Sequence, residues 1–154
     1  MIERIVSGGQ TGVDRAALDA ALRLGLPCGG WCPRGRRAED GTIESRYPLR
    51  ETPSEDYAQR TEWNVRDSDG TLVITRGTPA GGTALTIAVA RRLRKPLLVA
   101  KLDEPGLPAS VRRWAERHAI ATLNVAGPRE SQRPGIQAEA RQLLLAAFGA
   151  GAER

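Results

Sequence analysis

The stretch IERIVSGGQTGVDRAALDAAL, residues 2–22, decides the fold. Its apolar run Ile2–Val6 predicts a buried strand. The glycines of Ser7–Gly12 interrupt the pattern, and apolar residues then return at helical spacing from Gly12 to Leu24. A strand, a glycine turn and a helix in succession predict the first unit of an α/β domain.

Strands and helices alternate through the rest of the chain. A long irregular stretch, Pro33–Ser54, interrupts them, and loops of this length are uncommon in compact domains unless they are functional. Further strands are predicted at Pro27–Cys32, Thr71–Thr75, Leu97–Ala100 and Ile120–Val125, and further helices at Glu55–Asp67, Thr83–Arg94, Pro108–His118 and Pro134–Phe148.

This alternation predicts a Rossmann-like three-layer α/β sandwich with a mainly parallel five-stranded sheet. The strand order 2-1-3-4-5 would place a ligand crevice between the first and third strands of the chain. We expect residues 1–150 to form one domain and residues 151–154 to be a frayed tail.

The charge balance favours anionic ligands over nucleic acids. The 154 residues carry 23 Lys and Arg against 18 Asp and Glu, a net charge of +5, and only Lys95 and Lys101 are lysines. The excess of arginine has two open explanations, GC-rich coding and recognition of oxyanions by the planar guanidinium. Aromatic residues make up 4% of the chain, so we expect no nucleic-acid partner.

Localisation and redox state follow from simple features. No apolar run has the length of a membrane helix, and the start MIERIVSGGQ lacks a signal-peptide pattern. We therefore expect a cytoplasmic protein without a membrane partner. Cys28 and Cys32 would lie about 13 Å apart on one face of the second strand, too far for a disulfide. We expect reduced thiols, no protein metal site and a His118 packed on the apolar stripe of its helix.

Two glycine turns predict a phosphate site. The first is Ser7–Gly12, after the first strand, and the second is Pro79–Thr83, after the third. Glycines allow a ligand to approach closely, and a helix start offers free N–H groups to an anion. We predict phosphate at the helix start near Gly12 or against Gly81–Thr83. Thr11 and Asp14 also fit a capping box, which would make Asp14 structural.

Two further segments reach the same edge of the predicted sheet. NVAGPRES, residues 124–131, offers Arg129 and Ser131 to an oxyanion, and WCPRGRR, residues 31–37, offers Arg34 and Arg36. An ordinary polar loop and solvated surface charge are the open alternatives for these two segments.

Five motifs together resemble one family. They are SGGQTGVDRAALDAAL at Ser7–Leu22, GGWCPRGRRAEDG at Gly29–Gly41, TEWNVRDSDGTLVIT at Thr61–Thr75, PAGGTALT and NVAGPRES. In this order they resemble the molybdenum-cofactor carrier proteins, which are part of a Rossmann-like superfamily. That superfamily includes the lysine-decarboxylase-like phosphoribohydrolases and the DNA-processing protein A group.

The resemblance implies reversible binding of the molybdenum cofactor, a phosphorylated pterin dithiolene that carries molybdenum. It implies a homodimer or homotetramer, with molybdoenzymes or cofactor-synthesis proteins as partners. A carboxylate or an amide would suit the guanidine-like pterin edge, and the glycines and arginines would suit the anionic groups. The candidate binding residues are Gly8, Gly9, Gln10, Thr11, Gly12, Asp14, Arg15, Arg34, Arg36, Asn64, Gly81, Gly82, Thr83, Arg129 and Ser131.

A carrier needs no catalytic residue, and we expect none. The related hydrolases resemble one another in a P-G-G-x-G-T-x-x-E motif, whereas Ile87 stands at the acidic position in this chain. Asp14 lies near a helix N-terminus, where the dipole favours its charged form and makes it a poor proton donor. The alternatives are a phosphoribohydrolase-like nucleotide or nucleoside-phosphate hydrolase and a nucleotide-sensing module.

Overall fold

The computed structural model describes residues 1–149, and the predicted frayed tail at residues 151–154 lies outside them. The helices are α1 (Val13–Leu24), α2 (Tyr57–Arg66), α3 (Gly81–Arg92), α4 (Leu107–Arg117) and α5 (Ile136–Phe148). The strands are β1 (Arg4–Val6), β2 (Cys28–Gly29), β3 (Trp31–Cys32), β4 (Arg37–Ala38), β5 (Gly41–Thr42), β6 (Arg50–Glu51), β7 (Gly70–Thr75), β8 (Leu97–Lys101) and β9 (Thr122–Ala126).

Five of these strands form a parallel sheet in the order β2-β1-β9-β7-β8. The α/β class and the parallel five-stranded sheet are thus as predicted, but the order 2-1-3-4-5 is wrong. The last strand lies between the first and the third, where Leu123 pairs with Ile5 and Val125 with Leu72. All five strands are short, and β1, β7, β8 and β9 are mostly apolar, so their composition does not specify their neighbours.

Helices cover both faces of the sheet. Helices α1, α4 and α5 pack with Ile5, Leu72 and Leu123 into the main hydrophobic core. Helices α2 and α3 pack against each other on the opposite face. Because side chains alternate along a strand, this second face carries polar groups, and the Asn124 amide donates to the Thr71 hydroxyl there at 3.2 Å. None of the helices in residues 1–149 has the length and hydrophobicity of a membrane span.

The second predicted strand is broken at Gly30. Cys28 belongs to the main sheet, whereas Trp31 and Cys32 pair with β6 in a separate two-stranded sheet. Gly30 has φ +124°, and a Cβ there would lie 2.3 Å from the Ser7 carbonyl oxygen. The break is therefore built around a glycine that no other residue can replace without strain.

The long irregular stretch is partly ordered. It holds the small antiparallel pair β4–β5 and the strand β6. Buried Ile43 and Tyr47 form a second hydrophobic cluster with Leu18 and Cys32. This excursion packs on the outward side of α1, so it is a folded part of the structure.

Two smaller expectations also have clear outcomes. Both cysteines are free, as predicted. His118 is exposed at the C-cap of α4, so it is not buried, but its ring lies 6.0 Å from that of Trp114 on the predicted stripe. The helix ends at Arg117, and the stripe therefore stops at Ala115.

Candidate functional site

A polar depression lies at the carboxyl edge of the sheet, where the segments after β1, β9 and β7 meet. It encloses about 510 Å³ of empty space, including its open mouth. The predicted crevice between two glycine turns therefore exists, but β9 and its loop lie between those turns. The walls are formed by Gly8, Gln10, Asp14, Arg60, Thr61, Asn64, Gly82, Thr83, Thr86, Asn124, Val125, Ala126, Gly127, Arg129 and Gln132.

The first turn of α1 is covered by the protein's own chain. The Gly12 N–H donates to Gln137 Oε1 at 3.2 Å, and the Val13 N–H donates to the Pro128 carbonyl at 3.2 Å. A Cβ at Gly12 would lie 2.3 Å from that carbonyl oxygen. The loop after β9 therefore occupies one of the two positions that the sequence predicted for phosphate, and an anion has no access to it.

The start of α5 is also satisfied internally. Glu130 accepts from the Gly135 N–H at 2.8 Å and from the Gln137 N–H at 3.0 Å. A carboxylate at a helix N-terminus complements the helix dipole. The Glu130 carboxylate therefore occupies the position at the start of α5 where an anionic ligand would bind.

The start of α3 is open. Gly81 and Gly82 are exposed, and a Cβ added at either would meet no atom within 4 Å. The N-cap residue, Ala80, offers no side chain to the free N–H groups. Gly82 and Thr83 line the depression directly. Of the helix starts that follow β1, β7 and β9, this one is free for an anion.

An ion pair forms one wall of the depression. Arg60 Nη1 lies 2.9 Å from Asp14 Oδ2, and both side chains are about nine-tenths buried. Arg60 crosses directly over Gly8, where a Cβ would lie 1.6 Å from Nη1. Burial raises the pKa of the Asp14 carboxyl, although Arg60 opposes the shift. The predicted effect of the helix dipole on Asp14 is thus outweighed by desolvation.

Asp14 does not belong to a capping box. Its Oδ2 accepts from the Gln10 N–H at 3.3 Å. The Thr11 hydroxyl is used elsewhere, since it donates to Glu39 and accepts from the Glu130 N–H. The alternative that made Asp14 a cap is therefore wrong.

Gln10 lines the depression, and its side chain has one unused donor. Its side-chain Oε1 accepts from the Thr11 N–H at 3.0 Å and from the Glu39 N–H at 2.8 Å. These two donors fix the orientation of the amide. The Nε2 atom is buried and has no partner among the described residues. A buried donor without a partner costs free energy that a ligand acceptor would recover.

Asn64 is committed to the fold. Its Oδ1 accepts from the Trp31 N–H at 2.8 Å, and its Nδ2 donates to the Trp31 carbonyl at 2.9 Å. The side chain lines the depression while it clamps β3. Asn64 therefore shapes the wall, and its amide is already engaged.

The loop after β9 supplies Arg129. Its guanidinium is 5.8 Å from the Tyr57 ring centroid, and its Nε is 4.0 Å from Glu39 Oε2. Ser131 does not line the depression, because its hydroxyl and N–H both donate to Glu39. Burial favours the neutral form of Glu39, but the bonds from Ser131 and Thr11 outweigh it and lower the pKa of the carboxyl.

The remaining predicted arginines lie outside the depression. Arg15 makes a bidentate pair with Asp40 and donates to the Gly9 carbonyl. Arg34 is exposed and pairs with Glu55 at 3.2 Å. Arg36 donates to four backbone carbonyls, those of Ile43, Glu44, Tyr47 and Leu49. Gly9 also lies outside, where a Cβ would meet the side chains of Leu49 and Ile43.

Sequence reasoning missed several lining residues, with Arg60 the most important. Arg60 stands four residues before Asn64 on the predicted helix Glu55–Asp67, so the two share a face. Thr86 follows Thr83 by three residues on α3 and shares a face in the same way. This helical spacing could have predicted that Arg60 and Thr86 line the depression. No sequence pattern indicated Gln132. Within residues 1–149, no group of three or more His, Cys, Asp or Glu side chains could hold a metal ion.

The fold and the position of the depression define a class of protein. The sheet order is that of a doubly wound Rossmann sheet, 3-2-1-4-5, whose central first strand comes last in the chain. The depression lies at the carboxyl edge, by the switch point between β9 and β7. The protein is thus a rearranged Rossmann-like α/β sandwich with a polar depression at the carboxyl edge of its sheet.

The family follows from comparison with known proteins. Residues 5–148 match the model of the circularly permutated YpsA SLOG family, and the chain belongs to that family. Such a permutation accounts for the central position of the last strand. No curated protein matches the chain.

A solved structure is also similar. It is a protein from Syntrophus aciditrophicus described as a "Putative molybdenum carrier protein". The two chains are 45% identical, the match covers 96% of this chain and 95% of that one, and the TM-score is 0.92. The resemblance inferred from the five motifs is confirmed.

Proposed function

We propose that this protein binds, protects and carries the molybdenum cofactor in the depression. The observation that carries the proposal is the open start of α3 at the depression. Arg60, Arg129 and Gln10 line the same depression, and the buried Nε2 of Gln10 has no partner among the described residues. The 45% identity to a protein described as a molybdenum carrier supports this choice of ligand.

The phosphate of the cofactor is assigned to the N–H groups of Gly81 and Gly82. The helix dipole favours a dianion there. Arg129, about one-third exposed, is placed to add a charge-assisted bond from the neighbouring loop. The closed starts of α1 and α5 leave this position as the best anion site at the edge.

The pterin edge is assigned to Gln10 and Asp14. A pterin offers N–H donors beside a carbonyl acceptor. The Asp14 carboxylate suits the donors, and the free Nε2 of Gln10 suits the acceptor. The dithiolene supplies its own sulfur to molybdenum, so no protein thiolate is required. Burial raises the pKa of both Cys28 and Cys32, which keeps them as thiols.

The cellular role follows from this binding. We propose that the protein works in the cytoplasm between cofactor-synthesis proteins and molybdoenzymes, without a catalytic step of its own. Two free cysteines fit a reducing compartment. Transfer of the bound cofactor to a molybdoenzyme that lacks it would test this role directly.

Hydrolysis of a nucleoside phosphate is the second candidate. It is favoured by one observation, the raised pKa of a buried Asp14 in the depression, because such a carboxyl can donate a proton. The Arg60 ion pair and Ile87 at the acidic position of the hydrolase motif both weigh against it.

The test of the carrier role uses paired variants. The protein is purified from a cofactor-producing host, and bound molybdenum and oxidised-pterin fluorescence are measured. Gly82→Asp puts a carboxylate into open space at the start of α3, where it suits the helix but repels a phosphate. Gly82→Asn is the neutral control of the same shape. We expect loss of cofactor in the first and retention in the second.

A second pair tests the arginine. Arg129→Ala removes a charge-assisted hydrogen bond worth about 1.5–3 kcal/mol. The affinity for the cofactor should therefore fall about 10- to 100-fold, and less cofactor should be retained. Arg34→Ala, on the exposed Glu55 pair, is the control and should bind normally. Absence of cofactor from the unaltered protein, or equal retention in all four variants, would contradict the proposal.

A further inference from the structure

A second cavity lies on the same face of the sheet, toward the amino ends of β1 and β9. Measured like the depression, with its open mouth, it encloses about 530 Å³; its volume on the measure used for enclosed cavities is about 180 Å³. It is lined by Arg4, Gly30, Trp31, Arg50, Asp67 and Thr122 among others. Asn64 lines both this cavity and the depression. Its two hydrogen bonds to the Trp31 backbone separate the two spaces. The cavity is therefore a distinct site.

Two arginines, Arg4 and Arg50, line this cavity. Among the described residues, no carboxylate lies within ion-pair distance of Arg4 or Arg50, unlike Arg66, which pairs with Asp67 at 2.8 Å. Arg50 lies 5.5 Å from the centroid of the Trp31 ring. The Asp67 charge is already matched, because it accepts from Arg66 twice and from Trp31 Nε1. The balance of charge in the cavity is positive.

The aromatic wall of the cavity is held rigidly. Trp31 donates from Nε1 to Asp67 at 2.9 Å and meets the Trp63 ring edge-on, with 4.8 Å between centroids. A volume of about 150 Å³ is enough to admit benzene in a protein interior. The cavity therefore has room for one six-membered ring against an indole surface.

We propose that this second cavity binds a small organic anion that carries one planar ring. Its carboxylate or phosphate group pairs with Arg4 and Arg50, and its ring lies against Trp31. The proposal does not depend on the carrier function, since the charged residues of the two sites differ.

The test uses 4-bromobenzoate as the probe. Crystals soaked with it should show anomalous scattering from bromine inside the second cavity. In solution, titration calorimetry should give an affinity that falls about 10-fold in Arg4→Gln and in Arg50→Gln, because each loses one charge-assisted bond. Arg23→Gln, an exposed arginine on α1, is the matched control and should bind as the unaltered protein does. The neutral 4-bromobenzamide should bind more weakly by a similar factor.

Several results would overturn the proposal. They are bromine found in the depression instead, no binding in the millimolar range, an affinity unchanged in both arginine variants, or equal binding of the amide. Arg129→Gln, in the depression, should leave 4-bromobenzoate binding unchanged. A failure of 4-bromobenzoate to bind would therefore not affect the test of the carrier function. A failure to retain the cofactor would likewise not affect this test of the second cavity.

Discussion

Arginine side chains in this protein bind different kinds of partner, although the sequence does not distinguish them. Arg60 forms a buried ion pair with Asp14, Arg36 binds backbone carbonyls, and Arg34 remains on the surface. A guanidinium binds whatever acceptor the fold brings to it. Sequence reasoning therefore placed Arg34 and Arg36 together, whereas their surroundings separate them.

The two arginines should differ in their effect on stability. Arg36→Ala leaves the Ile43 and Leu49 carbonyls without a donor, whereas those of Glu44 and Tyr47 also accept from backbone N–H groups. We expect it to lower the free energy of unfolding by about 2–3 kcal/mol. Arg34→Ala breaks an exposed pair and should cost less than about 1 kcal/mol. Urea denaturation followed by circular dichroism measures both, and equal losses would contradict this assignment.

At the scale of elements, the β4–β5 hairpin connects the loops around the depression. Glu39, between its strands, accepts from Thr11 and Ser131, and its N–H donates to Gln10. Asp40 next to it binds Arg15. A stretch that the sequence presents as irregular thus holds the loops after β1 and β9 in place.

Glu39→Gln should weaken this connection in a pH-dependent way. The amide keeps the shape but cannot accept all the bonds of the carboxylate, and we expect a loss of about 1–2 kcal/mol at neutral pH. The pKa of Glu39 is lowered in the folded protein, so its stabilisation is present above the ordinary value of 4.5 and is lost as the pH falls through the folded pKa.

Urea titrations of both proteins at several pH values would test this sign. The difference in unfolding free energy should be largest near neutrality and should disappear in acid. If the difference in unfolding free energy stays constant over the pH range, the charge of Glu39 is not the cause of the stabilisation.

At the scale of the whole molecule, assembly is open to a direct measurement. Trp63 is half-buried, and the Arg66 guanidinium lies 4.7 Å from its ring centroid; neither residue lines the second cavity. Tryptophan and arginine are enriched at protein interfaces. We predict a homodimer or homotetramer, and a monomer by light scattering at tens of micromolar would contradict it.

Catalysis is the second question at this scale. A carrier should not release base from AMP or related nucleoside 5′-monophosphates over many turnovers, even at high protein concentration. The Asp14 carboxyl is engaged by Arg60, and Ile87 replaces the acidic residue of the hydrolase motif. Robust turnover that is lost in Asp14→Asn would favour the hydrolase instead.

Local patterns in the sequence determined the α/β class, the parallel sheet, the two glycine turns and the family. Each of these depends on periodicity or on short motifs. Most residues that line the depression lie in these motifs, because loops that leave parallel strands converge at one edge, but fewer than half of them were predicted as binding residues. Asn64, for example, was found from its motif, and Arg60 shares its helix face.

Only the tertiary structure decided which strand lies at the centre of the sheet and which helix start is open. The N–H groups at Gly12 are covered by Pro128 and Gln137, more than 100 residues away along the chain, whereas Gly81 and Gly82 remain uncovered. Two glycine turns that look alike in the sequence thus differ in whether another part of the chain covers their N–H groups. What occupies it is a long-range contact, and no local pattern encodes such contacts.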